Sequence, residues 1–432
     1  MQVSLILLTP FTRITKNKIM HISILKLIAF SALMSVSHLA LSGGPRALAG
    51  PNGNTPVIYN PPSVTLHTES GDLGTRTNAE ASAILQTAIS MWNSPATATV
   101  DLSVNQTLLN IEADDTNGID LIFDISDNLN PVIYDNDGAL IDLFFGVNAR
   151  DDTLGVSGSA WFSDSATYIE GYVLINGTKT FTDTELQLVF AHELGHFIGL
   201  DHTQVNIANN ESSTGFPLAC STTSVENYPL MYPISCRTAA SLHSDDASAV
   251  SALYPTAVIN DNFGTFEGNF IDEDGNAILG GNIWMLNIST GETYSIVSDY
   301  LMENTGYFKF LLPAGSYTLS ANSVNPEFIG GSGVGPYSLS AADLSFQNPH
   351  PITPVSYTNA SGTDEVISIT NGQTISNDFT INGELAATPS STDSDENDSY
   401  ADLFGATSPL FLTLVFLSLF SFRYFAKKNP NN

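Results

Sequence analysis

The run from residue 192 to residue 202 carries three histidines and a glutamate at a spacing suited to binding a metal ion. His192 and His196 are four residues apart, so on a helix their side chains project from the same face. Gly199 can take the left-handed conformation that ends a helix, and the turn after it brings His202 back towards the first two histidines. Three neutral imidazoles leave one position of a tetrahedral Zn²⁺ open. The spacing therefore predicts a catalytic zinc site.

Glu193 follows the first histidine directly, close to the metal without being a ligand. Zinc lowers the pKa of a bound water to about 7 and polarises a carbonyl group. Glu193 would take the proton of that water and pass it to the leaving amine, as a general base and then a general acid. Asp201 could accept a hydrogen bond from a ligand imidazole or be a solvated turn residue, and the sequence leaves both readings open.

A helix that begins at Thr182 would present these side chains. Thr182 and Glu185 have the spacing of a capping box, in which each side chain bonds the backbone amide of the other residue. Apolar residues follow at helical spacing, at Leu186, Val189, Phe190 and Phe197. The pattern predicts a helix with one buried face. The alternative is a set of surface histidines at a helix end.

The zinc run resembles the HExxHxxGxxH signature of the metzincin peptidases. Downstream, Met231 within residues 229–233 is similar to the Met-turn of the matrixin branch, which implies an apolar floor beneath the histidines. Residues 242–246 and 251–254 resemble the last matrixin helix, which an Asp pair opens, and this makes His243 a structural residue. The resemblance covers about residues 64–255 and implies one catalytic Zn²⁺ and protein or peptide substrates.

The same resemblance implies where a substrate binds. Residues 158–162 are similar to the edge strand that receives an extended peptide by strand addition. We therefore expect substrate contacts from Gly158, Ser159 and Ala160, and from Tyr232 beside the Met-turn.

The sequence departs from the family at two points. No cysteine precedes the zinc run, so a cysteine-switch form of latency cannot operate here. A tyrosine follows Met231 directly, so the zinc-binding tyrosine of astacins has no counterpart. Residues 135–138 and 151–152 are acidic turns, which could bind Ca²⁺ as such loops do in matrixins or could simply be solvated.

The charge of the chain excludes one class of partner. Its 432 residues include 44 acidic and 13 basic side chains, for a formal net charge of -31. A nucleic-acid partner is excluded on this ground, because phosphate binding needs basic side chains. Five of the basic residues precede Gly50 and three follow Phe422, which is typical of membrane-targeting segments around an exported body.

Residues 1–49 have the pattern of a secretory signal peptide. Lysines precede the apolar run 27–41, and residues 47–49 (Ala-Leu-Ala) have the small side chains of a cleavage site. Met20 could be the true start, and an uncleaved signal anchor is the alternative. Residues 50–63 hold several Gly, Pro and Asn, typical of a linker or short pro-segment.

The body between residues 64 and 255 mixes helical and strand-like patterns. Asn78 is a plausible N-cap for a helix over residues 79–92, which has apolar side chains on one face. Strands are predicted over residues 119–125, 139–145, 158–162 and 169–176. The fold class is therefore α+β, and the metzincin resemblance implies a twisted mixed sheet beside the active-site helix.

After residue 255 the pattern changes to short strands separated by Gly-rich turns. Residues 256–386 are predicted to form a small all-β sandwich. Residues 264–322 resemble a carboxypeptidase regulatory-like domain. Such domains serve as binding domains or as spacers and take no part in catalysis.

The last 46 residues suggest an anchor. Residues 387–402 form an acidic linker, 403–422 an uncharged stretch long enough for a transmembrane helix, and 423–432 a basic tail expected on the cytoplasmic side. The stretch also resembles a bacterial surface-sorting signal. A buried core helix is the alternative, and a GPI signal is disfavoured because basic residues follow the apolar run.

Cys220 and Cys236 are the only cysteines, and both lie in the predicted exported body. In an oxidising compartment they are expected to form a disulfide, with two free thiols or a metal-binding pair as the alternatives.

Two functions from different classes fit these features. The first is an exported zinc endopeptidase, displayed at the cell surface or released after processing. The second is a surface adhesion or matrix-binding protein that uses the same fold for recognition only. The presence of Glu193 beside all three histidines favours the first, because a pure binder would need no general base.

Overall fold

Some strands alternate buried and more exposed side chains, such as residues 263–271, whereas others, such as 131–135 and 293–297, are buried at every position. The structure is a computed structural model that describes residues 44–387 except 106, 115, 126, 163, 206–219, 221–226, 326–327, 329–332, 336–351 and 360. The chain divides into two units, residues 1–388 and 389–432, and every described residue belongs to the first. The helices are α1 Asn78–Trp92, α2 Gly118–Phe123, α3 Ala139–Phe145, α4 Asp183–Phe197, α5 Ser244–Leu253 and α6 Ile259–Asn262. The strands of the first half are β1 Leu48–Ala49, β2 Thr55–Pro56, β3 Ser63–Thr68, β4 Asp101–Val104, β5 Pro131–Asp135, β6 Gly155–Trp161 and β7 Tyr168–Asn176.

The first half is built on a five-stranded mixed sheet in the order β4-β3-β5-β7-β6. The pairs among β4, β3, β5 and β7 are parallel, whereas β6 runs antiparallel to β7 and forms one end of the sheet. Helices α1 and α4 share the core beside this sheet, where the Trp92 indole N–H donates to the carbonyl of Ala191 at 2.7 Å. This confirms the α+β class and places the histidine-bearing helix next to the edge strand.

Two of the predicted strands are wrong. Residues 119–123 of the first lie instead in the short helix α2, and residues 139–145 form the short helix α3. Short apolar runs do not distinguish a strand from a buried helix. Here the Asp135 carboxylate accepts the backbone N–H groups of Leu140 and Ile141 at 3.2 and 2.9 Å, which caps α3 from the end of β5. The apolar residues of both helices form a separate small core with residues of β5 and β7.

Helix α1 is capped one residue earlier than predicted. Thr77, and not Asn78, is the N-cap, and it forms a capping box with Glu80. The side-chain amide of Asn78 instead donates to the carbonyls of Glu69 and Gly71 at 2.8 and 2.7 Å. The helix therefore gains a cap of the same kind as α4.

The second half is an all-β sandwich, as predicted. Its strands are β8 Phe263–Ile271, β9 Gly281–Asn287, β10 Thr293–Val297, β11 Tyr307–Pro313, β12 Gly315–Ser323, β13 Val355–Ser356, β14 Ile367–Ile369, β15 Thr374–Thr380 and β16 Leu385–Ala387. One sheet has the order β10-β9-β12-β13, with β14 also paired to β12, and the other has the order β11-β8-β15-β16. The two sheets enclose a core of aromatic and aliphatic side chains, including Phe266, Phe308, Tyr317 and Leu319.

The end of the predicted signal peptide is part of this fold. Ala47 and Ala49 are buried in the core of the first half, and Leu48 is buried in the core of the sandwich. Strand β1 pairs with β2, and the Arg46 N–H donates to the Gly199 carbonyl at 2.7 Å. Cleavage after Ala49 stays a prediction, and it would remove the buried side chains of Ala47, Leu48 and Ala49.

The predicted membrane segment at 403–422 lies outside the described residues, as do residues 1–43, 388–402 and 423–432. Within the described part of the chain, no helix combines the length and the apolar character needed to cross a bilayer.

Candidate metal centre

Helix α4 begins where the sequence predicts. The Glu185 N–H donates to the Thr182 hydroxyl at 3.2 Å, and the Thr182 N–H donates to the Glu185 carboxylate at 2.7 Å. This capping box satisfies amides that the first turn of a helix leaves free. The apolar face of α4 is buried against α1 and the sheet, which fixes the direction of its histidines.

Helix α4 ends at Phe197, two residues before the glycine that the spacing predicts as its end. Gly199 has a φ of 96°, and the Leu200 N–H donates to the Gly195 carbonyl at 2.9 Å. A side chain at Gly199 would also meet the Tyr168 ring at 2.9 Å. A residue without a Cβ is therefore needed here, and the chain reverses so that His202 faces α4.

The three histidines converge on one point. The Nε2 atom of His202 lies 3.1 Å from that of His192 and 3.0 Å from that of His196. Nitrogen ligands of a tetrahedral zinc ion at 2.0–2.1 Å are about 3.3 Å apart. In the described part of the chain, this cluster is the one group of three or more His, Cys, Asp or Glu side chains close enough to hold a metal ion.

The other ring nitrogen of each histidine bonds a backbone carbonyl. The Nδ1 atoms of His192, His196 and His202 lie 2.7, 2.8 and 2.8 Å from the carbonyl oxygens of Leu230, Leu200 and Gly333. A carbonyl can only accept, so each Nδ1 carries the proton and each Nε2 keeps its lone pair for a metal. The donor set therefore fits a zinc ion held by three neutral imidazoles.

Burial keeps the histidines neutral. Loss of solvent lowers the pKa of His192 to about 4 and moves the pKa values of His196 and His202 well below the ordinary range. The positive charge of Arg46 lowers all three further. Neutral imidazole is the form that binds a metal, so no proton need be displaced from these rings at neutral pH.

Glu193 lies on the side of α4 that faces the edge strand. It is 6% exposed, and a side chain at Gly155 of β6 would meet its Cγ at 2.9 Å. Burial raises the pKa of Glu193 to about 8, and the charge of Arg46 opposes that rise. The carboxyl group is thus held in a place suited to exchanging a proton.

Met231 lies directly beneath the metal-site helix. A side chain at Gly195 would meet the Met231 sulfur at 2.3 Å, so only glycine allows this approach. The Asp246 carboxylate accepts the N–H groups of Leu230, Met231 and His243 at 2.8, 3.0 and 2.9 Å. Helix α5, opened by the predicted Asp pair, therefore holds the loop that carries Met231, and His243 is its N-cap.

The predicted substrate residues fall in two places. Gly158, Ser159 and Ala160 lie on β6, the terminal strand of the sheet, and the Ser159 hydroxyl donates to the Phe197 carbonyl at 3.0 Å. Tyr232 is only 2% exposed and packs edge-to-face against Phe328 of the sandwich half.

Asp201 fits neither predicted role. It is 3% exposed, so it is not a solvated turn residue, and the ligand imidazoles bond carbonyl groups instead. Burial raises the pKa of Asp201 well above the usual range, although the backbone N–H groups of His202 and Gly335 oppose that rise.

The cysteine prediction is confirmed. Cys220 and Cys236 are joined, with their Cα atoms 5.3 Å apart. The acidic turn at 135–138 has local partners, because Asp135 and Asp137 bond the first amides of α3 and Asn136 bonds the Gly74 N–H. Calcium binding stays untested.

Sequence reasoning missed Arg46 and Gly333. Arg46 lies inside the predicted signal peptide, and Gly333 lies in the predicted sandwich. Neither stands in a pattern that relates it to the zinc run, so no local signal could have found them.

Part of the chain matches a known peptidase family. Residues 79–203, from α1 to the third histidine, match the family model described as metallo-peptidase family M12B reprolysin-like. A stretch of 106 residues is 32% identical to macrophage metalloelastase of Rattus norvegicus and covers 24% of this chain. It spans only 17% of the length of that relative.

Two solved structures resemble the chain weakly. One is 5-hydroxyisourate hydrolase of Klebsiella pneumoniae, at 16% identity over 27% of this chain and 88% of the other, with a TM-score of 0.15. The second is a leucine-rich repeat protein of Bacteroides thetaiotaomicron, at 13% identity over 30% and 14%, also with a TM-score of 0.15. Scores this low do not define a fold.

Proposed function

We propose that this chain, which carries a metzincin metallopeptidase domain around a three-histidine zinc site, is an exported endopeptidase of the matrixin type. One observation carries the proposal. Three Nε2 atoms converge with their lone pairs free, and a buried glutamate follows the first of them on the same helix. A structural zinc site would have four protein ligands, whereas this cluster supplies three.

Zinc held by His192, His196 and His202 would polarise a peptide carbonyl and make a water molecule more acidic. The protein's own task is then to move a proton. The Glu193 carboxylate accepts the proton of the attacking water and gives it to the nitrogen of the leaving amine. Its close packing against Gly155 restricts its rotamers, which lowers the entropy lost on reaching the reacting atoms.

Strand β6 supports a peptide as the substrate. It is the terminal strand of the sheet, and it starts where Glu193 packs. A terminal strand can pair with an extended peptide through backbone hydrogen bonds, which recognise a main chain whatever its sequence. Gly158, Ser159 and Ala160 would supply these contacts. The burial of Tyr232 supports a structural role for that side chain.

The matrixin type is supported by the loop around Met231. Asp246 of helix α5 bonds two backbone amides of this loop. The loop is also bonded to the residue after the third histidine, because the Thr203 N–H donates to the Met231 carbonyl at 2.9 Å. The sulfur thus lies against the helix that carries two of the ligands.

Export and anchoring are proposed from the sequence patterns at residues 1–49 and 403–422. The intact chain should then fractionate with membranes, and a chain ending at Asp402 should be soluble. If the intact chain were soluble without detergent, the anchor would be excluded.

Hydrolysis of casein by the purified protein tests the function. We expect one zinc per chain and an activity that a chelator removes and added zinc restores. Glu193→Gln should bind zinc normally but lose activity by about 10²–10⁴-fold, the usual size of a general-base contribution. Glu185→Gln, at the exposed start of the same helix, is the matched control and should be fully active.

An adhesion protein would give a different result. The wild-type protein would hold one zinc and fold normally, yet it would cleave casein no faster than Glu193→Gln does. That outcome would exclude the peptidase.

A further inference from the structure

The third histidine is oriented by the second half of the chain. The carbonyl groups that bond His192 and His196 belong to Leu230 and Leu200, close to the zinc run. The carbonyl that bonds His202 belongs to Gly333, 131 residues away and between strands β12 and β13 of the sandwich. His202 also lies outside the helix, so helical geometry does not restrict its ring.

Residues 333–335 are buried against both halves of the chain. The Gly333 carbonyl contacts His202, and the backbone N–H of Gly335 lies near enough to the Asp201 carboxylate to lower its pKa. Gly335 has a φ of 75°, and a side chain there would meet Val297 of β10 at 2.8 Å. Val334 is fully buried in a cluster with Val205, Tyr228, Tyr232 and Phe328.

The residues after His202 are bonded to the sandwich as well. The Val205 N–H donates to the Ser295 hydroxyl at 3.0 Å, and the Thr203 hydroxyl lies 2.7 Å from the same oxygen. The Asn282 side chain donates to the Val205 carbonyl at 2.8 Å, and the Gln204 side chain donates to the Ser323 carbonyl at 3.1 Å. All of these side chains are buried.

Buried hydrogen bonds of this kind fix a geometry, because breaking one leaves a polar group without solvent or partner. A hinge that let His202 swing away from α4 would break several of them at once. The sandwich therefore covers residues 201–205 on the side away from α4 and restrains the third ligand.

We propose that the β-sandwich is part of the metal centre, with the Gly333 carbonyl and the Ser295 hydroxyl as positioning groups that orient His202 for zinc. Partners behind a metal-bound histidine set its tautomer and direction, and their loss usually weakens metal binding 10–100-fold. The inference requires zinc binding by the three histidines but does not require peptide hydrolysis.

Two serine variants separate this role from simple packing. Ser295→Ala removes the hydroxyl that Val205 and Thr203 bond. Ser248→Ala removes another buried bond between the two halves, from the α5 hydroxyl of Ser248 to the Leu311 carbonyl at 2.6 Å, away from the histidines. Both are serine-to-alanine changes at the contact between the two halves, and they remove two bonds at Ser295 and one at Ser248.

The readouts are the zinc dissociation constant, from competition with a chromogenic chelator, and the visible spectrum of the Co²⁺-loaded full-length chain. Ser295 acts on His202 only through Thr203 and Val205, so we expect Ser295→Ala to weaken zinc binding by up to about tenfold and to alter the Co²⁺ spectrum. Ser248→Ala should match the wild type in both, although thermal unfolding should show that each variant has lost stability.

A glycine pair gives a second, independent comparison. Gly335→Ala strains a residue with positive φ and pushes it against Val297, whereas Gly291→Ala has the same strain, at a φ of 78°, with nothing within 4 Å of the new Cβ. Gly335→Ala alone should weaken zinc binding, so the proposal remains testable if one variant does not fold.

Equal zinc affinity and equal Co²⁺ spectra in both pairs would show that the sandwich only covers the site. That result differs from a failure of the zinc assignment itself, in which the wild-type chain would bind no zinc.

Discussion

Asp246→Asn is predicted to destabilise the protein strongly although it changes a single atom. The carboxylate is fully buried, and its two oxygens accept three backbone N–H groups. An asparagine has only one carbonyl oxygen. In its better orientation that oxygen keeps the bonds to Leu230 and His243, while the new NH₂ group faces the N–H of Met231.

The magnitude follows from this loss. One buried amide without an acceptor costs about 1–3 kcal/mol, and the two remaining bonds weaken because the acceptor is no longer charged. We expect a loss of about 2–4 kcal/mol, which lowers Tm by roughly 5–12 °C in a domain of this size. Calorimetry and chemical denaturation of the zinc-loaded chain would measure it.

Asp245→Asn is the matched control one residue earlier. The Asp245 Oδ1 atom accepts the Ser295 N–H at 2.9 Å. The buried Oδ2 atom has no hydrogen-bond partner among the described residues. An amide NH₂ group can therefore take the place of Oδ2 without losing a bond. Burial and the neighbouring charge of Asp246 raise the pKa of Asp245 to about 8. A raised folded-state pKa stabilises the protein at low pH, and this contribution is lost as the pH rises from about 4 through 8.

We therefore expect Asp245→Asn to retain wild-type stability at low pH and to decline less steeply as the pH rises to 8. If Asp246→Asn were as stable as Asp245→Asn at pH 5, the amides of the Met231 loop would not depend on this carboxylate. The reasoning from hydrogen-bond geometry would then fail.

Three further outcomes are expected. Gly195→Ala would place a methyl group 2.3 Å from the Met231 sulfur, so we expect a loss of about 1–3 kcal/mol and weaker zinc binding, measured by thermal unfolding and chelator competition. Replacing both Cys220 and Cys236 with serine should cost about 3 kcal/mol, as for a closed loop of roughly 15 residues, and unreduced peptide mapping of the wild type should recover the linked pair. Removing zinc should lower the free energy of unfolding by about 4 kcal/mol, relative to a sample with free zinc at 1,000 times its dissociation constant. An unchanged Tm would show that the metal is not bound preferentially by the folded state.

Local rules explain why the zinc run could be read from the sequence. The i, i+4 spacing of His192 and His196, the capping box at Thr182 and the left-handed Gly199 each act within one or two turns of chain. Such features depend on backbone geometry, which neighbouring residues determine. The return of His202 to the first two histidines follows from them.

Where local patterns are weak, the sequence was misleading. The apolar runs at 119–125 and 139–145 are compatible with a strand or a helix. In the second run the Asp135 carboxylate stabilises the helix, because it accepts two backbone N–H groups of its first turn. The N-cap of α1 is Thr77 and not the predicted Asn78, because the side-chain amide of Asn78 bonds carbonyl groups before the helix.

The sequence by itself determined the three-histidine cluster and the order of an α+β half followed by a β-sandwich, and it predicted Glu193 as the base. Only the tertiary structure shows which groups contact the segments that carry the ligands. Asp246 bonds the Met231 loop, Arg46 bonds the turn at Gly199, and the Gly333 carbonyl bonds His202. These partners come from segments far apart in the chain. Their contacts arise from the packing of whole elements, and no short-range pattern of residues encodes that packing.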